Sequence, residues 1–292
     1  MLYKTLNNGV RMPMLGLGVY QMSPNETERC VLDALKAGYR LIDTAQSYNN
    51  EEGVGAAIAK SGVPRDQIFV TSKVQVSNMN YERARYSIDR SLRKLRTDHI
   101  DLMLLHQMMG DYTGAWRAME EAYEAGKLRA IGVSNCHSER LVDMALMAEV
   151  PPMVNQIETN PLCQRDDEHF VMDGLSVIHE SWAPFYEGRQ GIFSNPTLSE
   201  IARSHGKTVA QVILRALIQK DIVVIPKTTH LGRMEENLDV FGFSLTRDDM
   251  RRFEMLEDPN YKKLFDHRDV RTVKWLLGEI VKKQQLRGGA LY

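Results

Sequence analysis

The chain repeats a pattern that is clearest in the stretch Gly38-Tyr-Arg-Leu-Ile-Asp43-Thr-Ala-Gln-Ser-Tyr48-Asn-Asn-Glu51-Glu-Gly-Val-Gly55. A short apolar run at residues 40–43 leads into a polar loop, and an amphipathic stretch at residues 51–60 follows that loop. Short apolar runs suit strands that are buried on both faces of a parallel sheet, and amphipathic stretches suit the helices that cover it. The stretch therefore predicts one strand–helix unit.

Further units of this kind follow along the chain. Apolar runs occur at residues 68–72, 100–105, 129–133, 153–157, 175–178 and 222–225, and amphipathic stretches at 26–36, 81–95, 114–124, 138–148 and 208–219. A weaker run at residues 239–243 is the candidate for an eighth strand, and the long gap between 178 and 222 leaves room for an inserted loop. Eight strand–helix units predict an α/β fold of the (β/α)8 type, a TIM barrel.

The two ends of the chain add smaller elements to the barrel. An Asn8-Gly9 pair between two short extended pieces predicts a β-hairpin that plugs the bottom of the barrel. An amphipathic pattern at residues 270–284 predicts a C-terminal loop and helix extension, and with no linker-like stretch the chain is expected to form one domain, residues 1–292. The competing doubly wound sheet requires a Gly-x-Gly-x-x-Gly motif, and both Gly16-Leu-Gly18 and Gly53-Val-Gly55 lack its third glycine.

The composition of the chain argues against several classes of binding partner. The 37 Lys and Arg residues nearly balance 38 Asp and Glu residues, and they form no basic stripe that would bind nucleic acid. The apolar runs are far shorter than the roughly 20 residues of a membrane span, so we expect no membrane partner and a cytoplasmic protein. Three widely spaced cysteines fit reduced thiols, and the absence of a His-Glu-x-x-His motif gives no indication of a metal. A monomer is expected.

Polar residues stand where the apolar runs end. In a barrel, the C-terminal ends of the strands and the loops after them form the active-site face. Here those ends carry Asp43, Lys73, His106, Ser134-Asn135, Gln156 and Lys227. A single polar residue at a strand end is usually a cap or a solvated turn. Because six strands show the same feature, the sequence predicts a ring of functional groups.

Four residues of this region suggest acid–base chemistry. A lysine drawn into a barrel mouth needs a carboxylate partner, and Asp43 at the end of the adjacent strand is placed to pair with Lys73. Tyr48 begins the next helix, and a nearby cation would help its phenol to donate a proton. His106 is placed to hold a carbonyl oxygen that receives this proton.

These segments resemble the aldo-keto reductases. The stretch 38–55 matches the first signature of that family, with its catalytic Asp and Tyr on Asp43 and Tyr48. Thr71-Ser72-Lys73 and Leu104-Leu105-His106 match the catalytic Lys and His segments, and the resemblance extends from about residue 6 to 258. Within the family, the chain is similar to the prokaryotic reductases of the diketogluconate reductase type.

The resemblance implies a barrel that binds extended NADPH or NADP⁺ across its strand ends and reduces aldehydes and ketones by hydride transfer. Tyr48 would be the general acid, Lys73 and Asp43 would tune it, and His106 would orient the carbonyl. The implied cofactor residues are Ser134, Asn135 and Gln156 on the nicotinamide amide, Trp182 stacked on its ring, and Lys227, Thr228, Arg233 and Asn237 around the 2′-phosphate and adenine.

The chain departs from the family pattern around the substrate pocket, to which Tyr20, Gln75 and Gln107 are assigned. Relatives usually have Trp at the positions of both glutamines, and Glu158-Thr-Asn160-Pro161 replaces Glu-x-His-Pro. Amide groups in place of apolar rings favour small polar carbonyl substrates, unless both side chains merely point to solvent and widen the mouth.

Two other functions compete with this interpretation. Some proteins of this fold family bind NADPH tightly and act mainly on a partner protein, so a regulatory or redox-sensing barrel subunit is the alternative. A phosphate-binding isomerase barrel is the second, and it would use Lys227 and Arg233 but leave Tyr48 and Lys73 without a role.

Overall fold

In the computed structural model of the chain, residues 1–286 are described, and the first of them form a β-hairpin. The strands β1 (Tyr3–Thr5) and β2 (Arg11–Pro13) pair antiparallel. The Asn8 side-chain amide donates a hydrogen bond to the Arg129 carbonyl at 2.9 Å, and that of Asn7 donates to the Pro152 carbonyl at 3.3 Å. Both acceptors lie just before barrel strands. The hairpin therefore covers the bottom of the barrel, as predicted.

Eight parallel strands follow one another around the barrel in chain order. They are β3 (Leu17–Gly18), β4 (Leu41–Asp43), β5 (Phe69–Val74), β6 (Leu102–Leu105), β7 (Ile131–Ser134), β8 (Val154–Glu158), β9 (Ile178–Trp182) and β10 (Val223–Val224). A parallel bridge between Leu15 and Val224 joins the first strand to the last, and the Gly16 amide donates to the Val224 carbonyl at 2.9 Å. The predicted (β/α)8 barrel is confirmed.

The predicted eighth strand at residues 239–243 is wrong, because those residues form turns. The missing strand is β3, near the N-terminus, whose two residues are too few to produce a recognisable apolar run. Its close packing requires glycine: a Cβ atom at Gly16 would lie 2.4 Å from Cγ of Leu41.

The strand predicted from the sixth apolar run, residues 175–178, begins three residues later than predicted. Residues 175–177 form a turn, in which the Val177 amide donates to the Met172 carbonyl at 2.9 Å, and β9 begins at Ile178. The sequence obscured this strand because His179, Glu180 and Ser181 occupy its centre. Polar side chains inside a barrel mouth remove the apolar signature on which the prediction depended.

Helices cover the outside of the barrel and fill the inserted segment. They are α1 (Pro24–Ala37), α2 (Glu51–Lys60), α3 (Tyr81–Leu95), α4 (Tyr112–Glu124), α5 (Ser138–Met147), α6 (Asp166–Gly174), α7 (Pro196–His205), α8 (Val209–Gln219), α9 (Leu231–Leu238), α10 (Arg247–Glu254) and α11 (Val270–Leu286). Short 3₁₀ segments occupy Gln46–Tyr48, Arg65–Gln67, Val76–Asn78 and Tyr186–Ser194, the last of which is interrupted by a kink at residues 187–191. The gap between β9 and β10 therefore contains a 3₁₀ segment and α7 in addition to α8.

Local sequence signals explain where several helices begin. Ser23 and Pro24 start α1, since the Ser23 hydroxyl accepts a hydrogen bond from the Glu26 amide. Thr208 and Gln211 form a capping box that starts α8. Within residues 1–286, no helix combines the length and the apolar character that crossing a membrane requires.

The segment after α10 returns to the top of the barrel. The Tyr261 hydroxyl donates to Glu158 at 2.5 Å and accepts from the Asn160 side-chain amide at 2.8 Å. The Leu264 amide donates to the same Glu158 oxygen at 3.0 Å, and the Tyr186 hydroxyl donates to the Lys262 carbonyl at 2.7 Å. These bonds fix the C-terminal extension, which the sequence predicted, against the active-site face.

Candidate active site

A cavity of about 2560 Å³ opens at the C-terminal ends of the strands. Of the fifteen residues predicted to form the site, fourteen line it: Tyr20, Asp43, Tyr48, Gln75, His106, Gln107, Ser134, Asn135, Gln156, Trp182, Lys227, Thr228, Arg233 and Asn237. The fifteenth, Lys73, is fully buried directly beneath. The structure therefore brings the whole predicted set together, and the individual roles stay predictions.

Lys73 lies at the centre of the cavity floor. Its Nζ atom donates to Oδ1 of Asp43 at 2.5 Å and to the Thr44 carbonyl at 3.1 Å, and it lies 3.4 Å from the Tyr48 hydroxyl. Burial acts to lower the pKa of this ammonium group, but Asp43 and Tyr48 more than offset burial, so that the pKa is raised. The lysine is therefore a permanent buried cation beside the phenol.

Tyr48 ends a 3₁₀ turn and leans over the cavity floor. Its ring lies 5.0 Å from Nζ of Lys73, 4.8 Å from the ring of Tyr20 and 5.6 Å from that of His106. Burial raises the pKa of Tyr48 to about 12, although the Lys73 ammonium acts in the opposite direction. The phenol consequently carries its proton at neutral pH, which is the form that a proton donor must have.

His106 stands beside Tyr48 at the end of β6. Its Nδ1 atom lies 3.3 Å from the Ser47 hydroxyl, so Nε2 is the nitrogen left to face another group. Burial holds the pKa of His106 well below its ordinary value, and the charge of Lys73 adds to the effect. The imidazole is therefore neutral at neutral pH and provides one N–H donor and one acceptor.

The side-chain amides of Asn135 and Gln156 are held by hydrogen bonds on the neighbouring strands. Asn135 donates to the His106 carbonyl and to the Ser134 hydroxyl, both at 3.0 Å, and accepts from the Trp182 indole at 3.0 Å. Gln156 donates through Nε2 to Oδ2 of Asp43 at 2.8 Å, so its orientation is linked to the Lys73 pair.

The far end of the cavity is basic. Lys227 and Arg233 are exposed there, whereas Thr228 and Asn237 are buried. The Thr228 hydroxyl accepts from the His230 amide at 3.2 Å, at the beginning of α9. Among residues 1–278, whose side chains the structure describes, neither cation forms an ion pair with a carboxylate at 4.0 Å or less. Two cations and a helix N-terminus suit a phosphate group.

Comparisons with known proteins agree with this geometry. The model of the aldo/keto reductase family matches residues 13–175 and 190–258. The chain belongs to the aldo/keto reductase family. It is therefore an oxidoreductase, and the resemblance inferred from the sequence is confirmed.

Individual aldo/keto reductases match over most of the chain. The glyoxal reductase of Bacillus subtilis (strain 168) is 43% identical over 253 residues, which cover 86% of this chain and 91% of the relative. A solved structure described as a candidate 2,5-diketo-D-gluconic acid reductase B is 39% identical with a TM-score of 0.87. The match covers 91% of this chain and 95% of the chain in that structure. The Bombyx mori aldo-keto reductase in complex with NADP is 30% identical with a TM-score of 0.86, and the match covers 92% and 97% of the two chains.

Sequence reasoning missed several residues of this reductase site. Phe265, His267 and Trp275 line the cavity from the C-terminal extension, beyond the last residue that the family model matches. Burial lowers the pKa of His267 to about 4, so a second neutral imidazole faces the cavity. Glu180 was missed as well, because His179 and Ser181 flank it and the polar centre of β9 does not read as a buried strand.

The structure also gives the departure at Asn160 a structural role. The Asn160 side chain donates to Tyr261 and accepts from the Leu162 amide at 3.0 Å, so it joins the loop after β8 to the C-terminal extension. The departure at Asn160 therefore affects how the C-terminal extension is anchored to the barrel.

Proposed function

We propose that the protein reduces small polar aldehydes and ketones to alcohols, with NADPH as the hydride donor. The observation that carries the proposal is the fully buried Lys73, which joins the Asp43 carboxylate to the Tyr48 phenol under an open cavity. A buried ion pair without a functional partner is expensive to maintain.

The residues that line the cavity fit a nicotinamide dinucleotide phosphate. The Nε2 atom of Gln156 is fully occupied by acceptors. Its Oε1 atom receives no hydrogen bond from residues 1–278, whose side chains the structure describes, which leaves an acceptor for a carboxamide N–H. At the far end, Lys227 and Arg233 supply two cations for a 2′-phosphate. Trp182 offers an aromatic surface beside Asn135, to which its indole donates a hydrogen bond at 3.0 Å. When bound, NADPH supplies the hydride.

The protein's own groups complete the reduction. His106 donates a hydrogen bond from its neutral imidazole and so holds the carbonyl oxygen near the Tyr48 hydroxyl. As the carbonyl carbon receives hydride, Tyr48 gives its proton to the oxygen, and the phenolate that forms is stabilised by the Lys73 ammonium. Asp43 keeps Lys73 charged and in place. The phenol recovers its proton from solvent through the open cavity mouth.

The polar groups around Tyr48 support the proposal that the substrate is small and polar. Gln75 and Gln107 are both half-buried and belong to the cavity lining, which supports the interpretation that their amides meet the substrate. An apolar ligand would leave these groups unpaired at a cost of about 1 to 3 kcal/mol each. The relative named glyoxal reductase is consistent with this preference.

The test compares kcat/KM for methylglyoxal and for a bulky aromatic aldehyde, measured by the loss of NADPH absorbance. The wild-type protein should prefer methylglyoxal, and the variant Gln75→Trp with Gln107→Trp should lose that preference by about tenfold or more. An unchanged ratio would contradict the proposed substrate class. Failure to reduce any carbonyl with NADPH would contradict the proposed reaction itself.

The relatives are reductases and dehydrogenases, and none of those described favours the regulatory alternative. We also propose that residues 1–292 form one domain, and that the protein acts as a cytoplasmic monomer without nucleic acid or membrane partners. The cavity is complete within one chain, so no second copy is needed to build the site. Light scattering at working concentration should give a mass near 33.4 kDa, and twice that mass would contradict the monomer.

A further inference from the structure

Glu180 is a buried carboxyl group that the mechanism above does not use. It lies in β9, is 0% exposed, and accepts one hydrogen bond, from Nε2 of Gln156 to its Oε2 at 2.9 Å. Its second oxygen, Oε1, is buried and has no hydrogen-bond partner among residues 1–278, whose side chains the structure describes. A buried carboxylate with an unpaired oxygen is costly, so its presence under the cavity floor calls for an explanation.

The Gln156 side chain links Glu180 to the Lys73 ion pair. One Nε2 proton is donated to Asp43 and the other to Glu180, at 2.8 Å and 2.9 Å. The amide is therefore held between two carboxyl groups, and its oxygen is directed by both. Any change of charge on Glu180 acts directly on the residue that we assign to the nicotinamide carboxamide.

The charges around Glu180 come from two strands. Asp43 on β4 and Lys73 on β5 are the charged groups that influence it, Gln156 on β8 is its neutral partner, and β10 presents the apolar Val223 at the same level. Lys73 and Asp43 cancel each other. The net charge beneath the cavity is therefore zero when Glu180 is protonated and −1 when it is ionised.

Burial raises the pKa of Glu180 to about 8, and the neighbouring Asp43 carboxylate acts in the same direction. The group therefore is mostly protonated at pH 6.5 and mostly ionised at pH 9. NADP⁺ and NADPH share every charged group except one, because the oxidised nicotinamide ring carries a positive charge and the reduced ring is neutral. An ionised carboxylate under the ring attracts only the oxidised form.

We propose that Glu180, held on the Gln156 amide opposite Asp43, is a positioning residue whose gain or loss of a proton sets the relative affinity of the site for NADPH and NADP⁺. The inference rests on the proposed function, since it assumes that the cavity binds this cofactor. In its protonated form Glu180 favours NADPH, which is the form that carbonyl reduction consumes. In its ionised form it favours NADP⁺, and with it the oxidation of alcohols.

The magnitude follows from a unit charge acting across a protein interior. The attraction between two unit charges about 10 Å apart, at an effective dielectric constant near 20, changes a binding constant by on the order of tenfold. We therefore expect Kd(NADPH)/Kd(NADP⁺) to rise by about three- to tenfold from pH 6.5 to pH 9. Titration of the 2′-phosphate, whose second pKa is near 6, cancels in this ratio because both forms carry the group.

The experiment measures both dissociation constants by quenching of protein fluorescence at pH values from 6.5 to 9. Glu180→Gln imitates the protonated carboxyl group at all pH values, so its ratio should stay at the low-pH value of the wild type. Glu51→Gln is the matched control, because Glu51 is also buried and accepts a hydrogen bond, from Ser72 at 2.7 Å, but does not contact Gln156. Its ratio should follow the wild type.

Tyr48 is the other group whose ionisation could favour the oxidised cofactor, so the series is repeated in Tyr48→Phe. A pH-dependent ratio that persists in Tyr48→Phe and disappears in Glu180→Gln supports the proposal. A ratio that becomes constant in Tyr48→Phe and still varies in Glu180→Gln overturns it. A protein that binds neither form contradicts the proposed function instead, which keeps the two failures distinguishable.

A second measurement applies if Glu180→Gln does not fold. By linkage, a ligand that favours ionised Glu180 must release protons when it binds near pH 8. Calorimetric titrations of Tyr48→Phe, in two buffers of different ionisation enthalpy, should show that NADP⁺ releases a larger fraction of a proton than NADPH does. Equal release by the two forms would overturn the proposal.

Discussion

Replacing Asp43 by asparagine should cost the protein much of its stability, because Lys73 is 0% exposed and its ammonium group has Asp43 as its carboxylate partner at 2.5 Å. Asparagine preserves the volume of the side chain but not its charge. Removing one partner of a buried ion pair leaves the other charge uncompensated, at a cost of about 3 to 5 kcal/mol. We expect Asp43→Asn to lower the free energy of unfolding by about that amount.

A double-mutant cycle separates this charge effect from the loss of other contacts. Lys73→Met alone leaves the Asp43 carboxylate in a buried position, where the Gln156 amide still donates to it, and should also be destabilising. The double variant contains no isolated charge, so it should be more stable than the sum of the two losses predicts by about 2 to 3 kcal/mol.

Urea unfolding at pH 7, followed by far-UV circular dichroism, measures all four free energies under the same conditions. If the two losses add to within about 0.5 kcal/mol, the groups do not interact energetically, and the ion pair is not the reason for the buried lysine.

Three further outcomes are expected. Tyr48→Phe should lower kcat by about a hundredfold or more and retain its affinity for the cofactor. The control Tyr123→Phe, on α4, should leave kcat unchanged, and a near-normal kcat in Tyr48→Phe would assign the proton to another donor. Arg233→Ala should weaken NADPH binding by roughly tenfold to a hundredfold and leave NADH binding unchanged in fluorescence titrations, and equal losses would remove Arg233 from the phosphate site. Tyr261→Phe removes the hydrogen bond to Glu158 that holds the C-terminal extension against the cavity, so it should raise the substrate KM several-fold at unchanged kcat. An unaltered KM would show that the C-terminal extension does not contact the substrate.

Most of the barrel could be predicted from the sequence because most strands are buried on both faces and read as apolar runs. The starts and ends of α2 and α3 agree with the predicted stretches because each helix shows a helical period with an apolar face. β3 could not be found, since two residues form no period and its place is fixed by contacts with β4 and the bridge to Val224.

The site was predictable where a functional group follows a strand, as Lys73 and His106 do. Because all eight strands run parallel, the groups that follow them meet at one end of the barrel. Phe265 and His267 lie after the last barrel strand, and long-range hydrogen bonds such as those of Tyr261 and Leu264 to Glu158 bring them to the cavity. Such long-range contacts leave no periodic signal in the sequence.

The seam between the first and last barrel strands has a consequence for the motions of the enzyme. The seam depends on a few backbone hydrogen bonds, among them Gly16 to Val224 at 2.9 Å and Gly18 to Pro226 at 3.2 Å. Tyr20 follows one side of the seam and Lys227 the other, so a bound dinucleotide would touch both sides at once. Sparse hydrogen bonding makes such a region open locally more often than the rest of a domain. We expect the amides of Gly16 and Gly18 to exchange with deuterium faster than those of β5 in the cofactor-free protein, and to become protected when the cofactor bridges the seam.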